Sequence, residues 1–197
     1  MTDRALSPLC VYCGAASGAR PAYARAAAGL GRVMGSRGIG LVYGGGRAGL
    51  MGAVADGVLQ AGGMVTGVIT QQLMDKELGH TGVQELRVVD TMHQRKKAMA
   101  DIARGFVALP GGVGTLDELF EIVAWAQLGI HDHPVGMLNV EGFYDHLVAW
   151  LGRARDDAFL RVDPERAVIV DDDAERLLDR MAAAGPIERR AHGRERG

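Results

Sequence analysis

Short, almost wholly apolar runs recur along the chain at residues 9–13, 39–43, 64–69, 86–89, 106–109, 135–138 and 167–170. Their length and composition suit strands rather than helices. The stretches between them read mostly as helices. Residues 22–37 are rich in alanine, follow Pro21, which is suited to a first helical turn, and stop at Gly38; residues 50–61 stop similarly at Gly62 and Gly63. This alternation predicts a mainly parallel sheet. Because the strands are apolar throughout rather than at every second position, both faces of the sheet must be covered by helices. The expected class is therefore α/β, a Rossmann-like three-layer α/β/α sandwich.

Composition adds bounds to this picture. The chain has 197 residues, 48% hydrophobic and 23% charged, enough for one domain with a full core. No repeat or change of composition divides it, so residues 1–186 are expected to form a single nucleotide-binding domain. Residues 187–197 are polar and rich in arginine and are expected to be a disordered tail. A net charge of −2 gives no global attraction to nucleic acid or to an anionic membrane, so neither is expected as a partner. Residues 1–9 lack a signal-peptide core and no apolar run is long enough to span a bilayer, which points to a cytoplasmic protein. Cys10 and Cys13 form a C-x-x-C. They fall on a strand, where residues three apart face opposite ways, and no second ligand pair accompanies them, so two buried thiols are expected rather than a redox pair or a metal site.

Chemistry should sit where strand ends meet helix starts, since free N–H groups there favour anions. Two loops have a suitable composition: 44–49, reading Gly-Gly-Gly-Arg-Ala-Gly, and 110–115, reading Pro-Gly-Gly-Val-Gly-Thr. Glycine lets backbone approach a phosphate closely, and Gly45, Gly46, Gly112 and Gly114 with the Thr115 hydroxyl are candidate phosphate-holding groups. The bland alternative is a pair of tight turns. The first loop also matches G-x-G-x-x-G, but the acid that a nicotinamide dinucleotide would need at the end of the next strand is absent: residues 68–71 read Val-Ile-Thr-Gln. A Walker-type site fails too, because neither loop continues as Gly-Lys-Ser/Thr. Between the loops, residues 92–97 read Met-His-Gln-Arg-Lys-Lys at the start of a helix running to about Arg104. Cations there oppose the helix dipole, which a nearby anion would rationalise; a solvated basic turn is the alternative. Thr115 and Glu118 also form a Thr-x-x-Glu capping box, a structural explanation that would leave Glu118 nothing to do in catalysis.

Taken together, these segments and Trp125-Ala126-Gln127-Leu128-Gly129 resemble the LONELY GUY family of cytokinin riboside 5′-monophosphate phosphoribohydrolases, from about Cys10 to Leu160. The resemblance implies hydrolysis of the N-glycosidic bond of a nucleoside 5′-monophosphate to free base and ribose 5-phosphate, with no metal or organic cofactor, by a homodimer whose sites lie near the subunit interface. It places the catalytic pair on Arg95 and Glu118, and substrate contacts on Glu77, Lys96, Gly112, Gly114 and Thr115. Relatives often carry a lysine decarboxylase label, which no pyridoxal phosphate site in this sequence supports. The chain departs from the family at Ala15 and Ala16, where serines are common, with Ser17 as a candidate substitute, and at Ala124 and Thr70, where threonine and proline are usual. A non-catalytic nucleotide-binding module on the same fold is the competing expectation.

Overall fold

In a computed structural model, the residues described are 3–76, 78–160 and 167–184; residues 187–197, the expected tail, lie outside them. Seven strands form one sheet: β1 Leu9–Tyr12, β2 Leu41–Tyr43, β3 Val65–Thr70, β4 Glu85–Val89, β5 Gly105–Ala108, β6 Val135–Leu138 and β7 Ile169–Asp171. Their order is β4-β3-β2-β1-β5-β6-β7, and every pairing is parallel. Each expected run became a strand, with ends shifted by up to two residues. The helices are α1 Pro21–Ser36, α2 Gly49–Gln60, α3 Gln71–Met74, α4 Met92–Ile102, α5 Val113–Leu128, α6 Asp145–Asp156 and α7 Ala174–Ala183. Proline stands at the start of α1, and Gly38, with φ +69°, takes the left-handed turn after it.

Two apolar layers sandwich the sheet, and β1 shows how one strand feeds both. Leu9, Val11 and Cys13 pack into the layer shared with α1, α2 and α7, whereas Cys10 and Tyr12 pack into the layer shared with α4, α5 and α6. The two cysteines are therefore buried on opposite faces, both free, and burial pushes both thiols well above the ordinary range. Disulfide and metal roles for the pair are excluded by that geometry. At the edge of the sheet β4 departs from the expected double burial: it pairs with β3 alone among the described strands, and Val88 is 45% exposed. Among the described residues, no helix is long and apolar enough to cross a membrane.

The topology locates the crevice. Strand β1 is flanked by β2 on one side and β5 on the other. The chains leaving the carboxyl ends of β1 and β5 therefore diverge at a switch point, which is where open α/β sheets bind ligands. Residues 13–18 leave β1 there and residues 109–112 leave β5.

Candidate functional site

Two adjoining hollows occupy the switch point. One, of about 260 Å³, is lined by Cys13, Gly14, Ala15, Met51, Met92, Arg95, Gly112, Gly114, Thr115, Asp117 and Glu118. The other, of about 370 Å³, continues past the shared residues Gly14, Ala15 and Gly112 and is bounded mainly by Ala16, Ser17, Tyr23, Leu50, Pro110 and Phe143. Together they match the volume of an ordinary small-molecule site, roughly 300–1,000 Å³.

Helix α5 supplies one wall. Its N-cap is Gly112, with no side chain bonding back to the turn, and the Leu116 N–H is the first to return to the helix, at 3.2 Å from the Gly112 oxygen. A side chain on Gly112 or Gly114 would meet nothing within 4 Å, so the turn faces open space. Gly111 differs. Any side chain there would run into the Thr115 hydroxyl, so a glycine is what allows Thr115 to fold inward beside the loop, where it is 4% exposed. Because the helix begins at Val113, Thr115 is its third residue and not its cap. The capping-box explanation of Glu118 is thereby overturned: the Thr-x-x-Glu spacing is present, but the helix starts ahead of it.

Glu118 sits one turn further along, 6% exposed, on the cleft face of α5. Burial, only partly opposed by Arg95, lifts its pKa from the usual carboxyl value to about 7; neighbouring Asp117 and Glu121 push it the same way and Lys96 opposes them. Such a group shares the neutral pH range between its acid and its base forms, which suits proton handling at a reacting centre.

Helix α4 supplies the opposing cations. A capping box does exist here: the Thr91 hydroxyl accepts from the Gln94 N–H at 3.1 Å, and the Gln94 side-chain oxygen accepts from the N–H groups of Asp90 and Thr91 at 3.0 and 3.1 Å. The Thr-x-x-Gln spacing of residues 91–94 was the signal for it in the sequence. Arg95 turns inward, 5% exposed. Its Nε donates to the Val68 carbonyl at 3.0 Å, its Nη2 to the Gly44 carbonyl at 3.1 Å, and its Nη1 lies 3.5 Å from Glu118 Oε1. It thus ties β3 and the residue after β2 to the carboxylate on α5. Gly44 is glycine for this reason, since any side chain there would occupy the place of the guanidinium. Lys96 is 3.0 Å from Asp117 and 3.3 Å from Glu121, and Lys97 pairs with Asp101. The chain's own carboxylates thus answer the basic turn, with Arg95 and Lys96 turned inward and Lys97 left in solvent.

The structure brings together Arg95, Gly112, Gly114, Thr115 and Glu118 around one cleft. Gly45 and Gly46 are not among the lining residues. Their loop is occupied by its own backbone: the Arg47 N–H donates to Leu78, the His80 N–H to Gly45, and the Leu50 N–H to Gly14. Lys96 is not among the lining residues either and rests on Asp117 and Glu121. Glu77 is outside the described residues. Met92 borders the cleft, whereas Ala124 is exposed elsewhere on α5 and Trp125 packs against the α4–α5–α6 core layer. Ala15, singled out as a departure from the family, does line the cleft, whereas Asp117 and Met51 are lining residues that their sequence positions gave no reason to single out as ligand contacts.

Comparisons with known proteins extend the picture. The family model described as possible lysine decarboxylase matches residues 51–181. A cytokinin riboside 5′-monophosphate phosphoribohydrolase of Arabidopsis thaliana, LOG5, is 45% identical over 91% of this chain and 78% of its own length. A rice enzyme of the same name, LOG, from Oryza sativa subsp. japonica, is 50% identical over 82% of this chain and 66% of its own. Among solved structures, the molybdenum cofactor binding protein of Rippkaea orientalis superposes with a TM-score of 0.67 at 21% identity over 90% of this chain and 96% of that one, a likeness of fold alone. With identities near one half sustained over most of its length, the chain belongs to the LONELY GUY family of cytokinin riboside 5′-monophosphate phosphoribohydrolases.

Proposed function

We propose that this chain hydrolyses the N-glycosidic bond of cytokinin riboside 5′-monophosphates, releasing the free base and ribose 5-phosphate, and that Glu118 and Arg95 carry the reaction. The observation that carries this reading is a buried carboxylate paired with an arginine, facing a cleft whose adjoining wall is an uncapped helix N-terminus. The N–H groups at the start of α5, with the Thr115 hydroxyl, suit the 5′-phosphate, because the helix end concentrates positive potential there. Glu118, one turn on, then lies beside the ribose.

Water attacks C1′ as the bond from C1′ to the base nitrogen breaks, and the bonding electron pair leaves with the base. Positive character grows on the ribose, and the Glu118 carboxylate offsets it while accepting a proton from the attacking water, as carboxylates do in O-glycoside hydrolysis. The departing base takes up a proton from solvent. Arg95 orients Glu118 and offsets the negative charge developing on the base. Glu77 is a further proposed substrate contact on the strength of the family resemblance, and Gly45 and Gly46 on the composition of their loop. A homodimer with sites near its interface fits the large apolar side chains left exposed at the rim of the cleft, Val113 at 86% and Met92 at 48%; a cytoplasmic location fits the sequence.

The test is chromatographic detection of free base after incubation with N6-isopentenyladenosine 5′-monophosphate, AMP and isopentenyladenosine. Base from the prenylated monophosphate but not from the nucleoside is the expected result, and the AMP rate sets the specificity. Saturable binding with no base release from any of the three would instead assign a non-catalytic nucleotide-binding module.

A further inference from the structure

Lys96 has an arrangement that substrate holding does not explain. Its side chain is 17% exposed and spans from α4 to α5, with Nζ 3.0 Å from Asp117 Oδ2 and 3.3 Å from Glu121 Oε1. Those two acids are close neighbours of Glu118 on the same helix, one just before it and one three residues after. Glu121 is itself largely shielded, at 23% side-chain exposure, so its charge is weakly screened. Partial burial works against the Lys96 ammonium, but its hydrogen bonds to Asp117 and Glu121 outweigh this and hold its pKa above the ordinary lysine value. The cation is thus fixed by protein carboxylates, and it is absent from the lining of the cleft.

We infer that Lys96 is a positioning residue for Glu118: by neutralising Asp117 and Glu121 it lets Glu118 carry its charge beside the ribose, and by bridging α4 to α5 it holds that carboxylate at Arg95. This rests on the reading of Glu118 as the reacting carboxylate. The groups that bear on Glu118 are accounted for element by element. From α4 come Arg95 and Lys96, and from α5 itself Asp117 and Glu121. From β1 and the residue after it come Cys10, Tyr12 and Cys13, all kept neutral by burial. Lys96 is the cation among them that touches both flanking acids. Without it, two uncompensated negative charges favour the protonated form of Glu118, the form that cannot accept a proton from water.

The experiment is the pH profile of kcat/KM for base release from N6-isopentenyladenosine 5′-monophosphate by the full chain, comparing wild type with Lys96→Met, Lys96→Arg, Asp117→Asn and the Lys96→Met/Asp117→Asn pair. Lys96→Met is expected to move the ascending limb upward by on the order of one pH unit. Its rate then falls roughly tenfold at about pH 6 and stays within about twofold of wild type at about pH 9. Lys96→Arg returns the limb toward its original place, Asp117→Asn alone moves it downward, and the pair falls between. A uniform rise in KM with the limb unmoved would overturn the inference and make Lys96 a substrate contact. Should Lys96→Met fail to fold, as a thermal melt reveals, the limb of Lys96→Gln decides: upward supports the inference, unmoved overturns it. Failure of the parent reading looks different, since it appears as a wild-type chain that releases no base or as an active Glu118→Gln.

Discussion

Glu118 is held at Arg95 but not fully ionised by it, because loss of solvent costs the carboxylate more than a guanidinium at 3.5 Å returns. Two measurements follow from its pKa of about 7. In catalysis, the ionised form is the working one, so kcat/KM is expected to rise with pH to a plateau just above neutrality; a rate that falls through this range would make Glu118 a general acid instead. In stability the sign is opposite. Unfolded, the group ionises near its ordinary value of 4.5; folded, it keeps its proton up to about 7. Between those values the native state binds more protons, so the stabilisation present below about pH 4.5 is lost as pH rises to about 7, by on the order of 3 kcal/mol. Glu118→Gln cannot lose that proton. Its melting temperature relative to wild type should climb across this window while turnover falls at least a hundredfold, a divergence that a merely structural glutamate would not give.

At the scale of elements, the site depends on how two helices start. Helix α5 begins at an uncapped glycine and leaves its first turn for a ligand, while α4 is closed off by Thr91 and Gln94. Thr91→Ala should cost about 1 kcal/mol, read as a shift of the denaturant midpoint, with the pH limb of turnover unmoved. Gly44→Ala strikes the other end of the Arg95 anchorage. It displaces the guanidinium from the Val68 and Gly44 carbonyls and should depress kcat at least tenfold, with base-release kinetics as the readout. Much at this scale was legible beforehand. The seven strands announced themselves because each is a short apolar run between turn residues, and the opposite facings of Cys10 and Cys13 followed from strand geometry. The start of α5 did not, because Thr-x-x-Glu reads identically at a cap and two residues inside a helix. Nor did the partners of Lys96, since nothing in a local pattern pairs residue 96 with 117 and 121.

At the scale of the whole molecule, the cleft is walled by loops that only the sheet order brings together. The sequence pattern supplied strands and their parallel sense, but which strands are neighbours is set by long-range packing. The continuity of the two hollows also has a consequence for ligand choice. Ala15 and Ala16 present methyl groups where the family resemblance leads us to expect hydroxyls, and Tyr23, Leu50 and Phe143 continue the apolar surface. Restoring Ser at both positions should alter the ratio of rates on prenylated and plain adenine monophosphates by severalfold while leaving the pH limb in place; an unchanged ratio would show that this stretch does not touch the variable part of the substrate.

The pairing of β1 with β5 joins segments from opposite halves of the chain, Leu9 with Gly105 and Tyr12 with Ala108. Contacts so distant in sequence are the slow ones to close, since the entropy of a large loop is lost before its reward arrives. Helices α1 and α2 and the strands beside them can form from neighbouring segments, but the cleft has no second wall until β5 docks. During refolding from denaturant, far-ultraviolet dichroism should therefore recover ahead of base-releasing capacity, and the interval between the two signals times the moment at which the first and second halves of the polypeptide meet.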